Sequence, residues 1–212
     1  TQATPTYTVP TGLTAKYGQT LADVTLPAGW SWMNNTESVG DASTTAKTFK
    51  AKFTPTDTAN YKTVENIDVS VAVGKADAPA LADIAVSQKY TVTTEQSKDI
   101  GNGGMPADAG TLTYSEGAPA LLTGSVAIDS ASLDATTGKV TYKLSGGAAG
   151  DTVTLPVIIE SANYADATVN VVITLTAKDD QAALTLTGET TVVYGQTLQL
   201  GTSGGVYLGS PV

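Results

Sequence analysis

A five-residue phrase, Tyr17-Gly18-Gln19-Thr20-Leu21, returns unchanged as Tyr194-Gly195-Gln196-Thr197-Leu198. A repeat of this kind constrains the fold more than any composition does, because each copy marks the same place in a repeated unit. A second phrase, Ala59-Asn60-Tyr61, returns as Ala162-Asn163-Tyr164. Each copy stands shortly before an alternating apolar run: Ile67, Val69, Val71 and Val73 after the first, and Val169, Val171, Ile173 and Leu175 after the second. The order is opening phrase, closing phrase, closing phrase, opening phrase. It predicts a complete unit at 1–76, a more divergent one at 77–179, and the opening strands of a third, cut short, at 180–212.

The remaining periodicities also have period two, the mark of half-buried strands. Phe49, Ala51 and Phe53 alternate with Lys50 and Lys52, and Val140, Tyr142 and Leu144 with Thr141 and Lys143. Val153, Leu155, Val157 and Ile159 alternate likewise, with Pro156 on the opposite face. Proline donates no ladder hydrogen bond, so Pro156 predicts an edge strand or a bulge. Turn chemistry separates the runs at Pro27-Ala28-Gly29, Thr136-Thr137-Gly138 and Ser145-Gly146-Gly147. No amphipathic helix is evident. Short strands in units of this size predict an all-β chain of tandem β-sandwiches. The linkers, Gly74-Lys75-Ala76-Asp77-Ala78-Pro79 and Ala177-Lys178-Asp179-Asp180, are short and not Gly/Ser tethers, which predicts a semi-rigid rod.

Composition removes whole classes of function. The chain has no His, no Cys and, since all 11 basic residues are Lys, no Arg. A Ser-His-Asp triad, a thiolate nucleophile, a disulfide framework and a structural zinc site are therefore excluded. So is bidentate arginine readout of phosphate or guanine. Net charge is −9; residues 1–76 are neutral and the acid excess lies beyond them. Such a surface repels nucleic acid and anionic lipid. No run reaches a membrane span, and no signal peptide is visible.

The phrases around Tyr17–Leu21, together with Leu26-Pro27-Ala28-Gly29-Trp30-Ser31-Trp32, Phe53-Thr54-Pro55 and Asn60-Tyr61, resemble the bacterial immunoglobulin-like repeats of Gram-positive gut (Firmicutes-type) cell-surface proteins. The resemblance covers 13–76 well and 194–198 by its opening phrase. In 77–179, at Ala162-Asn163-Tyr164 and the final strand, the chain is similar to a looser immunoglobulin- or cadherin-like relative. The resemblance implies tandem immunoglobulin-like β-sandwiches with a partial third repeat. It further implies a non-enzymatic stalk, spacer or adhesion module, extracellular and on the cell surface or attached to the cell wall, with signal and anchor outside this segment. Partners would be host or bacterial surface glycans or proteins. Such repeats have no catalytic residues to carry over, and no cofactor or metal is expected.

Each candidate site has a plainer reading. Trp30 and Trp32 lie two apart, so on a strand they share a face; they form either an aromatic platform for a sugar ring or the large core residues of a sandwich. The acids of the second unit, among them Asp99, Asp108, Asp129, Asp134, Asp151, Asp166 and the pair Asp179-Asp180, offer oxygen ligands for calcium, but no dense ligand loop is present. They read as solvated charge. No carboxylate pair is singled out for glycosidase chemistry. The lysines of the first unit alternate onto solvated faces, which argues against a Lys–Asn isopeptide bond. The Ala-Asn-Tyr copies read as structural, Asn favouring a turn and Tyr folding its hydroxyl back onto backbone. Residues 180–212 are too few to fold alone, and Leu184, Leu186, Val192, Val193 and Leu198 predict strands resting on the second unit or exchanged with a neighbouring molecule. An alternative function is a glycan- or protein-binding module using a loop end or the Trp30/Trp32 face, and a third is a non-catalytic accessory domain of a carbohydrate-active surface enzyme.

Overall fold

The computed structural model describes residues 1–118 and 120–178, together with the strand backbones Thr185–Gly188 and Leu200–Ser203. The chain is nearly all β. Among the described residues the helical content is one 3-10 turn, Leu21–Asp23.

Four strands build the first unit: β1 (Leu13–Lys16), β2 (Trp30–Trp32), β3 (Lys47–Phe53) and β4 (Val64–Gly74). They form one mixed sheet in the order β1-β4-β3-β2, with β1 parallel to β4 and the other pairs antiparallel. Alternation does what the sequence implies: Val69, Val71 and Val73 are buried beside Phe49, Ala51, Trp32 and Ala15. A single sheet differs from the two-sheet sandwich expected for 1–76. The second layer here is irregular chain, with Leu21, Val24 and Val39 joining the core from between the strands. Residues 17–29 and 33–46, on either side of β2, lack a period-two run, so they cannot offer an alternating face. They cover the sheet instead through paired turns, with the amide of Leu21 donating to Glu37 O at 2.9 Å and that of Ala22 to Asn35 O at 2.7 Å. Asn66, the one described non-glycine residue with positive φ (57°), lies where the β3–β4 register slips between Ala51 and Phe53, marking a bulge.

Among the described residues the second unit has eight strands: β5 (Ile84–Lys89), β6 (Gln96–Asp99), β7 (Leu112–Glu116), β8 (Leu121–Thr123), β9 (Val126–Leu133), β10 (Lys139–Gly146), β11 (Thr152–Ser161) and β12 (Ala167–Thr176). One sheet runs β5-β12-β11-β7, with β8 also on β11, and a second runs β6-β10-β9. Their inner faces share one core, in which Val140, Tyr142 and Leu144 meet Val153, Val157, Ile159, Val169, Val171, Ile173 and Leu175. Pro156 stands where the neighbour of β11 is broken. β7 pairs with Val157–Ser161 and β8 with Thr152–Thr154, while the chain between them passes Pro156 with Gly117 N donating to its carbonyl at 2.9 Å. The proline thus makes a local edge inside an otherwise paired strand, as its missing N–H requires. Gly124 (φ 80°) closes the β8–β9 turn against Asp151, where a Cβ would overlap the carboxylate. That carboxylate accepts from the amides of Ser125 and Ala148, which hold it below the usual carboxylate range.

The pair β13 (Thr185–Gly188) and β14 (Leu200–Ser203) is antiparallel. The expectation of strand exchange through 180–212 otherwise lies outside the described residues, as does Asp179-Asp180.

Candidate functional site

The two tryptophans share one side of β2 but not one environment. Trp32 is in the core at 9% exposure; its indole N–H donates to Val24 O at 2.9 Å and its ring meets Phe49 edge-on at 6.3 Å. Trp30 is half-buried and joins two other rings, Tyr7 at 5.5 Å and Phe53 at 5.3 Å. Tyr7 is itself 38% exposed and lies 5.5 Å from Phe53. A shallow depression of about 290 Å³, lined by Leu26, Trp30, Asn35 and the edge of Trp32 among others, opens beside this cluster. Of the expected pair, Trp30 is the one that reaches solvent, and it is joined there by Tyr7 and Phe53, which lay outside the expectation. Tyr7 escaped the sequence reading because it lies on the irregular approach to β1, outside any periodic run.

The densest polar constellation is the joint between the units, built on the second Ala-Asn-Tyr phrase. β4 ends at Gly74, and two residues later Ala76 N already donates to Asn163 O at 2.8 Å, while Ala165 N donates back to Ala76 O at 2.9 Å. No free linker lies between. Asn163 is 5% exposed and satisfies its whole side chain across both units. Its amide nitrogen donates to the Asp41 carboxylate at 3.1 Å and to Asp108 O at 3.0 Å, and its carbonyl oxygen accepts from Ala42 N at 3.2 Å. Lys47 Nζ holds the Asp41 loop in place, donating to Val39 O at 3.1 Å and Asp41 O at 2.6 Å.

Asp108 is the second centre of the joint. Tyr17, from the opening phrase of the first unit, donates its hydroxyl to one carboxylate oxygen at 3.0 Å, and Tyr164 donates to the other at 3.1 Å. The two phenol rings pack edge to face, 5.6 Å apart at 70°. Tyr164 thus turns its hydroxyl to a carboxylate and not to backbone, correcting the expectation for this phrase. The reason is that loop 100–111 brings an acid within reach. The hydrogen bond to Asp108 is the main cause raising the Tyr17 phenol above its ordinary 10.0, and desolvation is the main cause for Tyr164. Both phenols therefore stay protonated through neutral pH, and their bonds are lost only as pH rises past those raised values. Lys16–Asp77 at 2.5 Å and Lys75–Asp166 at 3.6 Å flank the joint; all four side chains are largely exposed, so these pairs contribute little.

The other acids singled out by sequence are dispersed. Asp99 caps the Gly101 amide, Asp134 accepts from the amides of Thr136 and Thr137, and Asp129 takes the Ser145 hydroxyl and the Lys143 ammonium. Among the described residues no group of three or more carboxylates is gathered as a cation would need. Likewise Lys50 pairs with Asp68, and Asn60 with Asp57. No described helix is long and apolar enough to cross a membrane.

Neither a protein-family model nor a curated protein matches this chain. Among solved structures it is similar to an endo-fucoidan hydrolase from glycoside hydrolase family 107, at 13% identity and a TM-score of 0.27, over 71% of this chain and 26% of that one. A variant of a second endo-fucoidan hydrolase of that family gives 13% identity and a TM-score of 0.26, over 72% of this chain and 23% of that one. The chain spans about a quarter of the length of these enzymes. Likeness this slight says nothing of its chemistry.

Proposed function

We propose that the chain is a non-enzymatic spacer: a stalk or adhesion segment of a bacterial cell-surface protein, made of immunoglobulin-like units in tandem with the opening of a third. The observation that carries this reading is the joint. Ala76 is hydrogen-bonded into the second unit two residues after the first unit's last strand ends, and Asn163 and Asp108 clamp Tyr17 and the Asp41–Ala42 loop from the other side. A rod depends on fixing its units this way, because stiffness is lost wherever a linker swings freely. Acids spread singly over the second unit keep such a rod soluble. The extracellular setting rests on the resemblance of the repeated phrases.

Paired spin labels test it. The chain has no cysteine, so labels go only where they are placed. Ser70→Cys on β4 and Ser97→Cys on β6 put one on an exposed position of each unit. The expected result is a single narrow distance distribution that broadens when Tyr17→Ala is added. A broad distribution in the parent chain would overturn the reading.

The Tyr7, Trp30 and Phe53 cluster favours a second reading, a glycan-binding module, since clustered half-exposed rings present faces on which a pyranose can stack. Under it, soluble surface oligosaccharides give a saturable change in tryptophan fluorescence that Trp30→Ala abolishes. No change across a glycan panel would leave the spacer alone.

A further inference from the structure

The joint has two halves, and the described chain contains each of them twice. The incoming half is Ala76 bridged to the Ala-Asn-Tyr phrase of its own unit. At the start of the first unit, Ala3 forms the same parallel bridge to Tyr61 that Ala76 forms to Tyr164. The hydrogen bonds repeat as well: Ala3 N donates to Asn60 O at 2.8 Å and Lys62 N to Ala3 O at 3.0 Å, matching Ala76 N to Asn163 O at 2.8 Å and Ala165 N to Ala76 O at 2.9 Å. The outgoing half is Tyr17, placed by Tyr17 N donating to Gly74 O at 2.8 Å and Gln19 N to Lys16 O at 3.1 Å. At the end of β5 the same two bonds recur, Tyr90 N to Thr176 O at 3.0 Å and Val92 N to Lys89 O at 2.9 Å. Lys89-Tyr90-Thr91-Val92-Thr93 is thus a further copy of the Lys16–Thr20 phrase, with Gly-Gln replaced by Thr-Val.

One incoming half is filled and the other is bare. Asn163 is 5% exposed beneath Tyr17 and the Asp41–Ala42 loop, whereas Asn60 is exposed and Tyr61 stands 41% exposed. The bare half has a carboxylate beside its asparagine too, Asp57, which takes the Asn60 side-chain amide at 2.8 Å and the backbone amides of Ala59 and Asn60; Asp108 instead meets Asn163 through its backbone oxygen and turns its carboxylate to the phenols. Gln2, in the place of Lys75, ties the approaching chain down by donating to Thr58 O at 2.6 Å.

We propose that the Ala3–Tyr61 end of the first unit is a docking face for another repeat of the same kind, seated through a Lys-Tyr-x-x-Thr phrase as Tyr17 is seated on Tyr164. This deepens the spacer reading and rests on it, since it makes the joint a device the chain uses repeatedly. The occupant is a second copy of the first unit. The two flanking ion pairs do not carry over, because Thr4 and Thr63 stand where Asp77 and Asp166 do. Exposed pairs of that kind contribute little, so the phenol, the asparagine and the backbone bridge determine the fit. Such a contact joins unlike surfaces and does not close on itself, which is the geometry of a linear array.

The test lengthens the full chain by a second copy of residues 1–75 joined directly to Ala3, so that Lys75 of the added copy precedes Ala3 as it precedes Ala76. Spin labels go on Ser70→Cys in both copies. The expected result is one narrow distance distribution. Tyr17→Ala in the added copy, or Tyr61→Ala in the receiving unit, broadens it to that of a flexible tether. A broad distribution in the lengthened parent, or a narrow one indifferent to both substitutions, overturns the proposal. Both altered residues lie at the surface or half-buried, and unchanged thermal melting of the receiving unit certifies that it stays folded. The Ser70/Ser97 pair in the original chain separates the two claims. If that distribution is narrow while the new one is broad, only the added docking fails; if both are broad, the spacer reading fails too.

Discussion

Trp32→Ala is expected to destabilise the first unit by about 3–5 kcal/mol, enough to leave a unit of this size partly unfolded at room temperature. Two losses add. The indole is 9% exposed and packed on Phe49 in a core with few large side chains, so truncation leaves a cavity that the irregular chain on either side of β2 does not collapse to fill. It also removes the donor to Val24 O, orphaning a buried carbonyl beside the 3-10 turn. Trp32→Phe restores most of the volume and none of the hydrogen bond, so it should recover part of the loss. Trp30→Ala, at a half-buried ring on the sheet's rim, should cost clearly less. Urea denaturation followed by far-ultraviolet circular dichroism reads all three. Equal losses for Trp30→Ala and Trp32→Ala would mean that the indoles act as one surface and that Trp32 is not a core residue.

This pair shows what the sequence could and could not reveal. Two residues apart on a strand means one face, and that much followed from spacing. Which indole would be closed over depended on Leu21, Val24 and Val39 folding back from aperiodic chain, and no period announces that. The same division runs through the fold. Val69, Val71 and Val73, and Val169 through Leu175, were legible as core strands because burial on one face imposes alternation. The single sheet of the first unit was not, because its second layer has no repeat to read. Pro156 was legible as a defect in strand pairing, since a missing donor has the same consequence in any sheet. The phrase at Lys89–Thr93 stayed hidden because Thr91 and Val92 replace the residues that make Tyr17–Leu21 recognisable, while the backbone bonds that define the turn leave no trace in side-chain identity. The joint was hidden for a related reason. Asn163 meets Asp41 and Asp108, which lie 122 and 55 residues away, and in a single sequence nothing distinguishes those two acids from their neighbours.

Asn163→Ala should prove the most damaging polar substitution in the joint, while Asn60→Ala, at the matching place in the matching phrase, should be nearly silent. The side chain of Asn163 is buried and makes three bonds: to the Asp41 carboxylate, to Asp108 O, and from Ala42 N. Removing it strands partners from both units in a part-buried setting, which costs about 1–3 kcal/mol for an orphaned neutral group and more where one partner is charged. Asn60 is exposed and its amide touches Asp57 alone, so water replaces what is lost and the expected change is within about 0.5 kcal/mol. The cost at Asn163 should also be local in kind. The core of the second unit touches the joint at Ala109 and Tyr164 but lies mainly between its own two sheets, so amide hydrogen exchange should quicken around Ala42, Ala109 and Ala165 while the amides in the middle of β11 and β12 stay protected. Adding Tyr17→Ala should cost less than the two single losses combined, because both residues act through Asp108 and the interaction energy of a shared network is counted twice when its members are removed one at a time. Strict additivity of that pair would mean that Asn163 and the phenol clamp are independent features, and that the joint is a set of separate contacts with no common centre at Asp108.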